Sequence, residues 1–192
     1  MTKFEKYFIE VHRYLNEIGL NHWLIGSSLL GPIRDGCFLE GDREVNFGVM
    51  ANDLIEAKPK LMEKYKLVFP KSISRIPGVW LVDKDYKGGK IQRYHPNPFT
   101  WLAPHYLSCG KVVQTVGASH ILFWDEDILL PMGHMEHIGE VFTIPCQSKK
   151  WLEAYYGEGW KVSDTKWCWQ NNSHNHINLE ELDLFIKSED LC

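Results

Sequence analysis

The segment Trp23-Leu24-Ile25-Gly26-Ser27-Ser28-Leu29-Leu30-Gly31, followed by Glu44-Val45-Asn46-Phe47, constrains this chain more than any other part of it. An apolar strand runs into a Gly-Ser-Ser turn, and a second strand alternates polar and apolar residues. Such a turn offers free backbone N–H groups and two hydroxyls to a phosphate. Side chains in a strand alternate with period 2, so Asp42, Glu44 and Asn46 share one face. A phosphate cradle opposite a row of oxygen ligands suits metal-assisted transfer of a phosphoryl or nucleotidyl group. The expectation is that Ser28, Arg34 and Glu44 surround one cavity.

The chain has 192 residues, 44% of them hydrophobic and 13% aromatic, enough for one domain with a full core over residues 1–192. Its formal net charge is -4 with both signs interspersed, which argues against binding duplex nucleic acid. The five cysteines, Cys37, Cys109, Cys146, Cys168 and Cys192, form no Cys-x-x-Cys pair. They read as reduced, buried thiols rather than a disulfide framework or a thiolate zinc site. No apolar signal core and no membrane-length run stands out, so the expected location is the cytoplasm.

Phe4, Tyr7, Phe8, Val11, Leu15 and Ile18 make a one-faced helix, with Gly19 as its stop. Residues 20–25 form a short buried strand, 28–36 a short helix or turn, and Arg43 to Met50 the second strand. Asn52 or Asp53 caps a helix that Pro59 kinks or splits. Strands are expected at 65–69, 79–82, 90–94, 122–124 and 141–144, with a turn at Gly88-Gly89. Residues 95–120 resist assignment. Ser148 caps a helix closed by Gly157, and Asn178 with Glu181 resembles a capping box for a helix at 179–187. Mixed strands and helices with hairpin-like turns indicate an α+β fold.

The segment from Ile25 to Val49 resembles the LicD/fukutin family of nucleotidyltransferase-fold phosphotransferases. That family has a Gly-Thr/Ser-x-Leu-Gly-x-x-Arg turn before an acid-apolar-acid-apolar strand, and Gly26, Ser28, Leu29, Gly31 and Arg34 follow the same order with one residue more between the two glycines. The C-terminal part resembles the fukutin branch through Ile144-Pro145-Cys146, Trp151 to Gly157, Trp160-Lys161-Val162 and Lys166-Trp167-Cys168-Trp169. The resemblance implies a nucleotidyltransferase-like mixed sheet flanked by helices. It also implies transfer of a phospho-alcohol, of ribitol phosphate or phosphocholine type, from a nucleoside diphosphate donor to a glycan or alcohol hydroxyl. Magnesium or manganese would sit on Glu44, Asp42 and Asn46, with Gly26, Ser27, Ser28 and Arg34 on the donor phosphates.

The chain departs from that pattern in two places. Asn46 stands where the second strand acid belongs, and Gln92 falls where a third acid is expected on Lys90 to Tyr94, unless Asp83 or Asp85 replaces it. Neutral amides ligate magnesium more weakly than carboxylates. The alternative is therefore a non-catalytic relative that binds a nucleotide or glycan or serves as a scaffold. Plainer readings stand beside each motif: a tight glycine turn, an ion-paired surface arginine at Arg34, the polar face of an edge strand. His134-x-x-His137 and His174-x-His176 invite a zinc hypothesis but lack a third ligand at suitable spacing. Trp160, Trp167 and Trp169 serve either as stacking surfaces or as packing.

Overall fold

A computed structural model describes residues 1–69, 78–87, 97–116, 120–164, 166–167 and 176–178. Helix α1 (Lys3–Glu17) opens with a capping box, in which Thr2 Oγ1 accepts from Glu5 N–H and the Glu5 carboxylate accepts from Thr2 N–H. Such caps contribute about 1 kcal/mol. Its stripe of Phe8, Val11 and Leu15 is completely buried, and Gly19 follows the helix in the left-handed region. Strand β1 (His22–Leu24) leads directly into α2 (Gly26–Asp35), and β2 (Glu44–Met50) leads into α3 (Ala51–Lys64). Met50, not Asn52 or Asp53, occupies the cap position, and α3 runs unbroken through Pro59.

Strands β3 (Lys66–Val68), β4 (Val79–Val82), β5 (Phe99–Ser108), β6 (Lys111–Val116) and β7 (His120–Asp125) follow. The expected strand at 90–94 and the turn at Gly88-Gly89 lie outside the described residues. A short helix α4 (Glu126–Leu129), the hairpin β8 (Gly133–His137) and β9 (Glu140–Ile144), and α5 (Ser148–Tyr156) come next. Gln147 takes the cap position of α5, while Ser148 donates to Pro145 O. A 3-10 turn spans Glu158–Lys161, and β10 spans His176–Asn178. Asn178 thus ends a strand, and the helix expected at 179–187 lies outside the described residues.

The main sheet runs β1-β2-β5-β6-β7-β10, with β4 also on β5 and β3 on β4. Among the described pairings only β2–β5 is parallel. This is a mixed α+β domain whose sheet is flanked by helices. One face of β2 carries Val45, Phe47 and Val49 and packs on α1, with the Phe8 and Phe47 rings 5.4 Å apart. The opposite face carries Glu44, Asn46 and Gly48. There α2 covers Asn46, and Gly48 lets the Trp23 indole lie flat on the strand. A Cβ at Gly48 would fall 2.3 Å from that ring.

The core includes a pair of neutral histidines in contact. His12 Nδ1 and His22 Nε2 are 2.8 Å apart, and His22 Nδ1 faces Leu20 O at 2.7 Å. The second bond makes His22 Nδ1 the donor, so His22 Nε2 accepts from His12. Burial lowers both pKa values, that of His22 to about 4.

The cysteine expectation is corrected. Cys37 and Cys146 are free but exposed, and Cys109 is disulfide-bonded. Spacing motifs report only local pairs, whereas the tertiary fold selects this one. Among the described residues no helix is long and apolar enough to cross a membrane.

Candidate active site

Gly26 begins α2 with φ +53°, in the left-handed region that glycine enters without penalty. The helix therefore starts immediately after β1, and Gly26-Ser27-Ser28 is its first turn rather than a free loop. Ile25 N–H donates to Asn46 O, continuing the β1–β2 ladder by one residue. Ser28 Oγ accepts from Asn46 N–H at 2.8 Å and fastens α2 to β2. Ser28 is completely buried. Its expected place on a donor phosphate is thereby corrected: it is a structural tie beneath the site. Ser27, half-buried, is the outward hydroxyl, and its Oγ accepts from Asn46 Nδ2 at 3.0 Å.

Asp42 and Glu44 complete this group. Asp42 Oδ1 accepts from Glu44 N–H at 3.1 Å, while Asp42 Oδ2 is buried with no hydrogen-bond partner. Trp80, reaching across from β4, donates its indole N–H to Glu44 Oε1 at 3.2 Å. Burial pushes the Glu44 carboxyl up to about 7, opposed by the Trp80 bond and reinforced by the charge of Asp42. Burial also raises Asp42, against the nearby Ser27 hydroxyl. Two carboxyls held this way keep their protons more tightly than in water and resist ionisation until a cation arrives. Asn46 adds an amide on the same face, with Nδ2 also donating to Glu44 O at 3.2 Å. On that face Trp101 stands beside Asn46 in the β2–β5 register, and its ring contacts Trp80 at 4.7 Å.

A cavity of about 640 Å³ opens between α2 and the turn after α5. Arg34, Tyr156, Trp160 and Trp167 are among its walls, whereas Ser28, Asp42 and Glu44 are not. Of the three residues expected around one cavity, this one takes in Arg34 and not Ser28 or Glu44. Arg34 lies a full helix length beyond Gly26, while Glu44 lies beside the helix start. The Tyr156 hydroxyl titrates well above the ordinary tyrosine range, chiefly through burial, and the charges of Asp42, Glu44 and Arg34 all reach it. Arg34 is paired with Asp35, Nη2 to Oδ2 at 2.7 Å and Nε to Oδ1 at 2.9 Å. It is therefore both the ion-paired arginine and a cavity wall.

Other expected ligands do not gather here. Asp83 meets Asn97 at 3.4 Å, and its charge acts on Tyr7 and Tyr65 beside α1, across the sheet from Glu44. Gln92 and His174 lie outside the described residues. His134 and His137 occupy β8, where positions three apart face opposite ways. Among the described residues no group of three or more His, Cys, Asp or Glu side chains is placed to hold a metal. Trp80, Trp101 and Tyr156 were not foreseen. The alternation of Val79 to Val82 shows which way Trp80 points but not that Glu44 is its partner.

No family model matches the chain. It is 22% identical over 165 residues to the ribitol-5-phosphate transferase FKTN of Homo sapiens and, equally, to that of Macaca fascicularis. Each match covers 84% of this chain and 34% of the relative, so the chain spans about a third of the length of those relatives. Among solved structures it resembles the lincosamide antibiotic adenylyltransferase LnuA in its lincomycin-bound form. The TM-score is 0.53 at 14% identity, over 84% of this chain and 90% of that one. The fold is therefore that of a nucleotidyltransferase.

Proposed function

We propose that this chain transfers a phospho-alcohol, of ribitol phosphate or phosphocholine type, from a nucleoside diphosphate donor to a glycan or alcohol hydroxyl. The observation that carries the reading is the buried pair Asp42 and Glu44 set beside the first turn of α2. The similarity to a ribitol-5-phosphate transferase over most of the chain supports the same class of chemistry.

The residues fit a divalent cation. Asp42 Oδ2 is buried and unpartnered, and the Glu44 carboxyl is held near neutrality, so both gain from a hard positive ion. Asp42 and Glu44 would hold magnesium or manganese, with Asn46 as a neutral neighbour. When bound, such an ion neutralises charge on phosphate oxygens. The chain's own residues supply position. Trp80 fixes the Glu44 carboxyl, Ser27 presents a hydroxyl, and α2 aims the positive end of its dipole at an incoming anion. Arg34 keeps a guanidinium beside the cavity for a second phosphate.

A second reading, nucleotide binding without turnover, is favoured by Asn46 standing where a carboxylate would strengthen the ion site. Isothermal titration with cytidine nucleotides, with and without magnesium, separates the two. Transfer predicts binding that magnesium tightens and that Glu44→Gln uncouples from magnesium. Metal-independent binding supports the second reading, and no binding in either condition removes both.

A further inference from the structure

The cavity beside the acidic pair has walls that a phosphate alone does not need. Tyr156 and Trp167 face each other with ring centroids 4.5 Å apart and an interplanar angle of 45°. Trp160, packed into the core, backs this side of the cavity, and Asp164 stands among its lining residues. Asp164 Oδ1 accepts from Lys166 N–H at 2.8 Å, which fixes its carboxylate. A Cβ built on Gly159 meets nothing within 4 Å, so that wall opens onto free space. A volume of about 640 Å³ lies within the range of pockets that enclose a nucleotide-sized ligand. Flat aromatic walls with a few fixed polar groups suit a planar heterocycle, which stacks on a ring and offers edge donors and acceptors.

We infer that this cavity seats the nucleobase of the donor, leaving its phosphates to pass Arg34 and Tyr156 toward Asp42 and Glu44. The inference rests on the transfer reading above but concerns a different set of residues. Arg34, a wall of the cavity, holds a guanidinium that a diphosphate leaving it can meet. Tyr156 is also a wall of the cavity and lies within the field of the two acids. The carboxylate of Asp164 favours a base that carries an exocyclic amino group.

Two variants test this without touching the acidic pair. Gly159→Leu adds bulk to a residue that lines the cavity, on a backbone that carries no positive φ. Trp167→Ala removes a half-buried stacking wall. Binding of CMP, AMP, UMP and inorganic pyrophosphate is followed by calorimetry for both variants and the unaltered chain, with circular dichroism to show that each is folded. The expected result is nucleotide binding weakened at least tenfold in both variants, pyrophosphate binding unchanged, and CMP or AMP preferred over UMP. Nucleotide binding equal in all three proteins would overturn the assignment. So would nucleotide-independent binding of a monosaccharide that both variants abolish, because the cavity would then seat the acceptor. Either result would sink this inference alone; absence of nucleotide binding by the unaltered chain would sink the transfer reading with it.

Discussion

Glu44→Gln is the perturbation whose outcome the structure fixes most sharply. Burial moves the Glu44 carboxyl from 4.5 to about 7. At about 1.4 kcal/mol per tenfold change in proton affinity, ionising it inside the fold costs about 3 kcal/mol more than in the unfolded chain. Because the folded pKa is the higher one, the folded chain holds the proton more tightly. Its stabilising effect is complete below pH 4.5 and is lost as pH rises toward 7. Glutamine keeps the oxygen that accepts from Trp80 Nε1 but never ionises. Relative to the unaltered chain, Glu44→Gln should therefore gain about 3 kcal/mol between pH 4.5 and pH 8. Urea unfolding followed by tryptophan fluorescence measures this. With a slope of about 2 kcal/mol per molar, the midpoint difference should widen by about 1.5 M. Magnesium at pH 8 should stabilise the unaltered chain and not the variant. A midpoint difference that stays constant from pH 4.5 to pH 8 would refute the reasoning, because Glu44 would then ionise as freely as in water.

Ser28→Ala should cost about 1–3 kcal/mol, since it strands the buried Asn46 N–H, whereas Ser27→Ala should cost under about 1 kcal/mol. Thermal melts of the two variants side by side check that order. His22 works in the opposite direction from Glu44. Its pKa is lowered by burial from 6.5 to about 4, so its contribution is present above pH 6.5 and is lost as pH falls toward 4. His22→Asn should flatten that loss in urea titrations read against the unaltered chain, where the two slopes overlap. Asn46→Asp combined with Gln92→Asp should raise magnesium affinity at least tenfold by calorimetry; unchanged affinity would mean the ion site is elsewhere.

Much of the local order was legible in the residues themselves. The apolar spacing from Phe4 to Ile18 defines α1, and the alternation after Arg43 defines which β2 side chains flank Asn46. The start of α2 was displaced because Gly26, entering the left-handed region, begins a helix without an intervening turn. Strand β5 was hidden by Pro104, which normally argues against a central strand. It is tolerated because it falls in the gap between residues 100–102, paired with β4, and 105–108, paired with β6. The site was legible only along β2 and the start of α2. The bond from Trp80 to Glu44 spans 36 residues, and the charges of the acids reach Tyr156 only once α5 packs on α2. Such partners are set by strand order, which no local pattern records. Ser28 matched the motif in sequence yet turned inward, because the first turn of α2 must bond to Asn46 to sit on the sheet.

The decisive measurement is phosphorus NMR of a cytidine diphosphate alcohol incubated with this chain, magnesium and a glycan acceptor. Release of cytidine monophosphate with matching growth of a phosphodiester signal, abolished by Glu44→Gln, is the predicted result. An intact donor that nevertheless binds the protein, with the same affinity in Glu44→Gln and without magnesium, would contradict the assignment of Asp42 and Glu44 to phosphate transfer.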